Sequence, residues 1–186
     1  MLPLIEEAVQ AGIELIQIRE KDLPTRALLQ LVERAVAAAR GSGTRLVVND
    51  RLDVALAAGA PGVHLGTQSI PPQAVRKRVP EGFLIGVSCH SREEVQAAEM
   101  AGADYVLLGP IFETPSKIAY GPPLGLGTLR ETAAAVQVPI LALGGITVER
   151  VRACVHAGAA GIAGIRIFQD ASSLAIRVQE LQAQFP

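Results

Sequence analysis

The sequence predicts a barrel of parallel strands, each followed by a helix, and three observations lead there. A short Ala-Gly-Ala phrase, or a near copy, recurs as Ala11-Gly12-Ile13, Ala58-Gly59-Ala60, Ala101-Gly102-Ala103 and Ala157-Gly158-Ala159. Each copy precedes a short hydrophobic run, so each glycine is placed to end a helix in the left-handed conformation that only glycine adopts cheaply. The glycines are 47, 43 and 56 residues apart, about twice one strand-plus-helix unit, and each gap holds a further aliphatic run. Unbroken alternation of strand and helix is the pattern of a parallel sheet.

In chain order, the first element is helical, with Leu4, Ile5, Ala8 and Val9 at amphipathic spacing. Seven strands follow, over Glu14 to Ile18, Thr44 to Val48, Gly62 to Leu65, Phe83 to Val87, Asp104 to Leu108, Pro139 to Leu143 and Gly161 to Ile165. The longest helix spans Thr25 to Arg40, where Leu28, Leu29, Leu31, Val32, Val36 and Ala37 form an apolar stripe between charged residues. The Gly/Pro cluster from Tyr120 to Gly127 reads as a long loop, the kind of segment that often carries function. An eight-stranded barrel typically needs roughly 250 residues, and about 200 at the least. At 186 residues and seven strands, the expectation is a (β/α)8 TIM barrel lacking its first strand in this chain. A doubly wound open sheet is the alternative, disfavoured by the regular repetition.

Composition suits a single domain over residues 1–186: 49% of residues are hydrophobic and only 3% aromatic, which fits a core of Ala, Val, Leu and Ile. A net charge of -1 provides no global field for nucleic acid or an acidic membrane. Any anion must therefore be held by local groups. The two cysteines, Cys89 and Cys154, suggest neither a disulfide framework nor a zinc site, and no basic segment followed by a long apolar run opens the chain. A cytoplasmic protein acting on small molecules is expected, with a homo-oligomer left open.

Parallel α/β barrels place their chemistry at the carboxyl ends of the strands. Gln17, Arg19 and Lys21 follow one another at intervals of two, which in an extended segment puts an amide and two cations on one face. Two cations beside an amide suit a diphosphate; solvated pairs with Glu20 and Asp22 fit the same residues. Asn49 and Asp50 follow the next strand as either a helix cap or, for Asp50, a carboxylate for Mg²⁺, which is often held by one or two carboxylates plus phosphate. Ser88 is a candidate hydrogen-bond donor, whereas adjacent Cys89 and His90 face opposite ways on a strand and make a poor nucleophilic pair. Thr114, Ser116 and Lys117 could clamp a phosphate or simply form a turn. Gly144-Gly145-Ile146 and Ile165-Arg166 stand at the last two strand ends, the recurrent phosphate position of this architecture. His64 reads as a packed core residue, and His156 as a cation complementing a helix end.

Taken together, Gln17-Ile18-Arg19-Glu20-Lys21, Val48-Asn49-Asp50-Arg51, Gly62-Val63-His64-Leu65-Gly66, Gly86-Val87-Ser88, Gly109-Pro110-Ile111-Phe112-Glu113-Thr114 with Lys117, and Gly144-Gly145-Ile146 resemble the thiamine phosphate synthase family in order and over nearly the whole chain. The resemblance implies a (β/α)8 barrel that joins hydroxymethylpyrimidine diphosphate to thiazole phosphate, with Mg²⁺ and release of pyrophosphate. It implies that Gln17, Arg19, Lys21, Asn49, Ser88 and Lys117 serve the pyrimidine diphosphate and that Asp50 serves Mg²⁺. Thr114, Ser116, Gly145, Ile165 and Arg166 would serve the thiazole phosphate. Among these, Arg19, Lys21 and Lys117 carry the catalytic charge.

Two side chains depart from the family pattern. Ser69 stands where a second metal-binding Asp is usual, and Arg166 where a serine is usual. Ser69 and Cys89-His90-Ser91 are similar to the TenI-type thiazole tautomerases, whose catalytic histidine would fall at Pro110. Synthase chemistry is the expected activity; a tautomerase-like protein, or one that binds thiazole or thiamine phosphates without turnover, is the alternative.

Overall fold

The computed structural model describes residues 1–114 and 122–185, and the chain divides into two compact units, Met1–Gly86 and Val87–Pro186. In the first unit the elements run α1 (Leu2–Gln10), β1 (Leu15–Ile18), α2 (Thr25–Ala39), β2 (Arg45–Asn49), α3 (Leu52–Ala57), β3 (Gly62–Leu65) and α4 (Pro72–Arg76). β4 (Leu84–Cys89) carries the chain into the second unit, which continues with α5 (Arg92–Met100), β5 (Tyr105–Leu108), α6 (Gly125–Ala133), β6 (Ile140–Leu143), α7 (Val148–His156), β7 (Gly161–Ala163), α8 (Arg166–Gln169) and α9 (Leu174–Gln182).

Within the first unit, β1 pairs with β2 and β2 with β3, all parallel, with Gln17 opposite Val47 and Asn49 opposite His64. Val47, Val48 and Val63 are fully buried, as expected of parallel strands covered on both faces. Gly62 opens β3 because a larger residue would not fit. A Cβ there would lie 2.7 Å from Leu84 Cβ and 2.9 Å from Val47 Cγ1. α2 buries Leu28 and Val32 of the predicted stripe together with Ala35 and Ala39, which the stripe did not include, leaves Ala37 exposed, and stops one residue short of Arg40.

The second unit repeats the scheme: β5 pairs with β6 and β6 with β7, again parallel, with Leu108 opposite Ala142 and Leu143 opposite Ala163. Its core gathers Val106, Leu108, Ile140 and Ala142 from the strands with Val95, Leu129 and Cys154 from the helices. Tyr105 is buried in β5, and burial together with the neighbouring Asp104 pushes its phenol above the usual range. A surface carboxylate fastens the turn before β6: Glu99 Oε1 accepts the amides of Gln137 and Val138 at 2.6 and 2.9 Å.

Three expectations change. The last strand stops at Ala163, because Ile165 already has helical backbone angles and Arg166 opens α8. Asn49 lies inside β2, and Ser88 and Cys89 inside β4, rather than after those strands. The predicted loop over 120–127 gives way to α6 at Gly125, which has φ +75°. The four phrase glycines do take left-handed angles: Gly12, Gly59, Gly102 and Gly158 have φ of 80°, 68°, 83° and 94°.

His64 is 1% exposed in β3, and burial pulls its imidazole down to about 4. The folded protein therefore keeps His64 neutral where the unfolded chain, whose histidine titrates near 6.5, gains a proton. Stability from this group is complete above pH 6.5 and is lost as pH falls toward 4. Between pH 7 and pH 5 the loss is expected to be about 2 kcal/mol in urea titrations. The same pH change should cost His64→Gln less by about that amount; an equal pH dependence in both proteins would assign the effect elsewhere.

Candidate functional site

In the first unit the candidate residues sit where β1 and β2 end. Gln17 Nε2 donates to Asn49 Oδ1 at 2.9 Å, so the Asn49 side chain is tied across the sheet. It does not cap α3. The residue in the cap position is Arg51, without a side-chain cap bond.

Asp50 is the one non-glycine residue with positive φ, at 64°, among the described residues. Two backbone bonds fix it there. Its N–H donates to the His64 carbonyl at 2.8 Å, continuing the β2–β3 ladder, and the Arg51 N–H then folds back to the Asn49 carbonyl at 2.7 Å. Aspartate tolerates this region better than most residues, but strain of this kind tends to accumulate at functional positions.

The Arg51 guanidinium attracts the Asp50 carboxylate electrostatically, but its hydrogen bonds go elsewhere. It donates to both oxygens of Asp53 at 2.9 and 2.7 Å and to Thr25 Oγ1 at 3.1 Å. The bond with Asp53 is the main cause raising Arg51 and lowering Asp53. No hydrogen bond joins the Asp50 carboxylate to another described residue.

Arg19 and Lys21 follow β1 as exposed residues, and the chain bends from Lys21 to Leu23. The strand alternation expected from their spacing therefore covers Gln17 alone. Neither cation pairs with Glu20 or Asp22 among the described residues. Ser69 closes the turn after β3: its Oγ accepts the Gly66 N–H at 2.8 Å while its own N–H donates to the Gly66 carbonyl at 3.1 Å.

In the second unit, Ser88 is half-buried in β4 and hydrogen-bonding. Cys89 is fully buried, its thiol pushed up to about 12 by burial and by Glu94, which removes it as a nucleophile at neutral pH. The His90 ring Nδ1 instead contacts the Gly109 carbonyl. A cis peptide joins Gly109 to Pro110, after which Ile111 and Phe112 donate to the carbonyls of Leu143 and Gly144 at 2.8 and 3.0 Å. These bonds bring the loop after β5 onto the end of β6.

Gly144 and Gly145 have φ of 95° and 64°, and neither has room for a side chain. A Cβ on Gly144 would stand 2.6 Å from Pro110 Cβ, and one on Gly145 would stand 2.5 Å from the Glu113 carbonyl oxygen. The pair thus lets backbone approach backbone, and it precedes α7 by a two-residue connection. Arg166 Nη2 reaches back 52 residues to Thr114 Oγ1 at 3.3 Å, so the structure brings these two candidates together. Ile165, next to Arg166 in sequence, is 66% exposed. Ser116 and Lys117 lie outside the described residues.

Among the described residues no cluster of three or more His, Cys, Asp or Glu side chains could hold a metal on its own. The donor set around Asp50 suits a cation that keeps other ligands: one carboxylate, with the rest from water or a phosphorylated substrate, is a usual arrangement for Mg²⁺.

Sequence reading missed Arg150, whose side chain contacts Gly145. The signal was a cation in the first turn of a helix, opposite to what the helix dipole favours.

These features define an α/β protein of parallel strands with candidate anion-binding groups at the strand ends. Comparison with known proteins narrows the class. The chain belongs to the thiamine monophosphate synthase family, whose model matches residues 1–168. It is 47% identical over 158 residues to the thiamine-phosphate synthase of Methanoculleus marisnigri, covering 85% of this chain and 75% of that one. With the thiamine-phosphate synthase of Roseiflexus castenholzii it shares 44% identity over 165 residues, 89% of this chain and 72% of the relative. The solved thiamine phosphate pyrophosphorylase from Pyrococcus furiosus superposes with a TM-score of 0.89 at 33% identity, over 98% of this chain and 88% of that one. No helix among the described residues is long and apolar enough to cross a membrane.

Proposed function

We propose that this chain is a transferase of thiamine biosynthesis that couples hydroxymethylpyrimidine diphosphate to thiazole phosphate and releases pyrophosphate. One observation carries the reading beyond family likeness: the two units offer chemically different strand ends, as two different phosphorylated substrates require. Among the described residues, the first has an amide pair, a carboxylate on a left-handed residue that makes no hydrogen bond, and two cations without an ion pair. The second has a glycine pair and a hydroxyl held by a guanidinium.

In this reading Gln17 and Asn49 orient the pyrimidine, with Ser88 as a further donor, while Arg19, Lys21 and Lys117 hold the diphosphate. Thr114, Ser116, Gly145, Ile165 and Arg166 hold the thiazole phosphate. The carbon–oxygen bond to the diphosphate breaks first, its electron pair leaving with the diphosphate and the pyrimidine methylene carbon becoming cationic, and the thiazole nitrogen then forms its bond to that carbon. Fixed cations favour that departure because charge accumulates on the leaving oxygens. Asp50 would hold Mg²⁺, which when bound supplies further positive charge to the diphosphate. Positioning the nitrogen accounts for the rest. The same proposal includes a (β/α)8 barrel, a cytoplasmic setting and no nucleic-acid partner.

The second reading, a TenI-type tautomerase or a binding protein without turnover, is favoured by Ser69, whose hydroxyl is already engaged with Gly66. Incubating the protein with both substrates and Mg²⁺ and measuring pyrophosphate and thiamine phosphate separates the two. Product supports the synthase; tight binding of thiazole phosphate with no product supports the alternative.

Two substitutions refine the assignment. An Asp at position 69 can still accept the Gly66 N–H, so Ser69→Asp is expected to keep the turn and to lower the Mg²⁺ concentration for half-maximal activity several-fold. An unchanged concentration would remove position 69 from the metal site. Arg166→Ser is expected to weaken thiazole phosphate binding about tenfold in calorimetry and to leave pyrimidine diphosphate binding alone. Equal losses for both ligands would sink the assignment of separate substrate groups.

A further inference from the structure

Arg150 occupies the third position of α7, where a cation opposes the helix dipole. Among the described residues its guanidinium makes one hydrogen bond and one ring contact, both within the second unit. Nη1 donates to the Gly145 carbonyl at 2.7 Å, and the cation lies 4.6 Å from the centroid of the Phe112 ring. Arg150 is exposed, but a cation held over a ring face is more constrained than one with no such contact, so the bond to Gly145 is aimed rather than incidental.

The carbonyl of Gly145 and the N–H of Ile146 belong to one planar trans peptide and point in opposite directions. Fixing the carbonyl therefore fixes the amide. Gly145 has no side chain to limit rotation of that peptide, and its φ of 64° is one of several angles open to glycine. Neither the Gly145 N–H nor the Ile146 N–H donates to another described residue. Successive amides of this kind, near left-handed residues, form concave anion sites.

We propose that Arg150 is a positioning residue that locks the Gly145–Ile146 peptide against Phe112, so that the Ile146 amide faces the phosphate of the thiazole substrate. This rests on the proposed function for the identity of the substrate. Arg150 acts through the backbone, with its own charge spent on the Gly145 carbonyl rather than on the ligand.

The test combines calorimetry of each substrate with amide shifts of Gly145 and Ile146 during titration with inorganic phosphate. Arg150→Met is expected to weaken thiazole phosphate binding about tenfold, leave pyrimidine diphosphate binding unchanged, and abolish most of the phosphate-induced shift at Ile146. Because the lost interaction is a fixed hydrogen bond and not a long-range charge, the tenfold ratio should persist at about 1 M salt, where exposed charges are screened within ~3 Å. Arg150→Lys, which keeps a donor, should recover part of the affinity, and Phe112→Leu should lose part of it.

Unchanged affinity and an unchanged Ile146 response in Arg150→Met would overturn the proposal. So would equal weakening of both substrates, a loss that disappears at high salt, or a wild-type Ile146 amide that ignores phosphate. If the wild type binds no thiazole phosphate but Ile146 still responds to inorganic phosphate in an Arg150-dependent way, the substrate assignment fails and the positioning role stands.

Discussion

Under the proposed assignment of Asp50 to Mg²⁺, replacing it with asparagine is expected to reduce the rate of pyrophosphate release by about a hundredfold or more, since a metal ligand would contribute several kcal/mol of charge stabilisation. The fold should not suffer. Asparagine also tolerates the left-handed region, and the turn is held by backbone bonds from Asp50 and Arg51 that the side chain does not make. Asp50→Gly is the sharper variant: it should be equally inactive yet up to about 1 kcal/mol more stable in urea titrations, because glycine relieves the strain at φ 64°. Activity lost together with stability would make Asp50 a structural residue. Activity retained in both variants would remove the carboxylate from the reaction.

Gly144→Ala is expected to destabilise the protein by about 3 kcal/mol, combining left-handed strain with steric overlap. Gly144 has φ 95°, and the new methyl would stand 2.6 and 2.7 Å from Cβ and Cα of Pro110. Pro110 has little freedom to retreat, because Ile111 and Phe112 next to it are bonded to Leu143 and Gly144. Gly12→Ala is the control. Gly12 has φ 80° but nothing within 4 Å of its Cβ position, so only the strain remains, about 1 kcal/mol. Thermal melts of the two variants compare the terms directly; equal losses would mean that the loop after β5 moves aside freely.

The strands were legible in the sequence because short aliphatic runs lie between glycine turns, and that local pattern survives tertiary packing. Gly12, Gly59, Gly102 and Gly158 announced the turns, and all four are left-handed. Strand ends were less legible. Gly161 to Ile165 is uniformly small or aliphatic apart from its glycines, yet the chain turns at Gly164 into α8, a choice that hydrophobicity alone does not encode.

At the candidate site, residue types and order singled out particular strand ends, but the side-chain partners lay far away in sequence. Asn49 could have capped a helix; only its register beside Gln17 shows otherwise. Thr114 and Arg166 meet across 52 residues. Pairings of this kind arise from the fold as a whole and leave no local trace.

The burial of Tyr105 also determines how the molecule can be watched. The chain has no tryptophan, and its two tyrosines, Tyr105 and Tyr120, both fall in the second unit, leaving Phe83 as the sole aromatic residue of the first. In near-ultraviolet absorption and emission the first unit is almost dark. A denaturation curve read from tyrosine emission is therefore a record of the second unit only, and ligand effects at Gln17, Asn49 or Asp50 would pass unseen by that probe. Leu56, 43% exposed on α3, is a place where a tryptophan could be introduced without entering the core and would make the silent half visible.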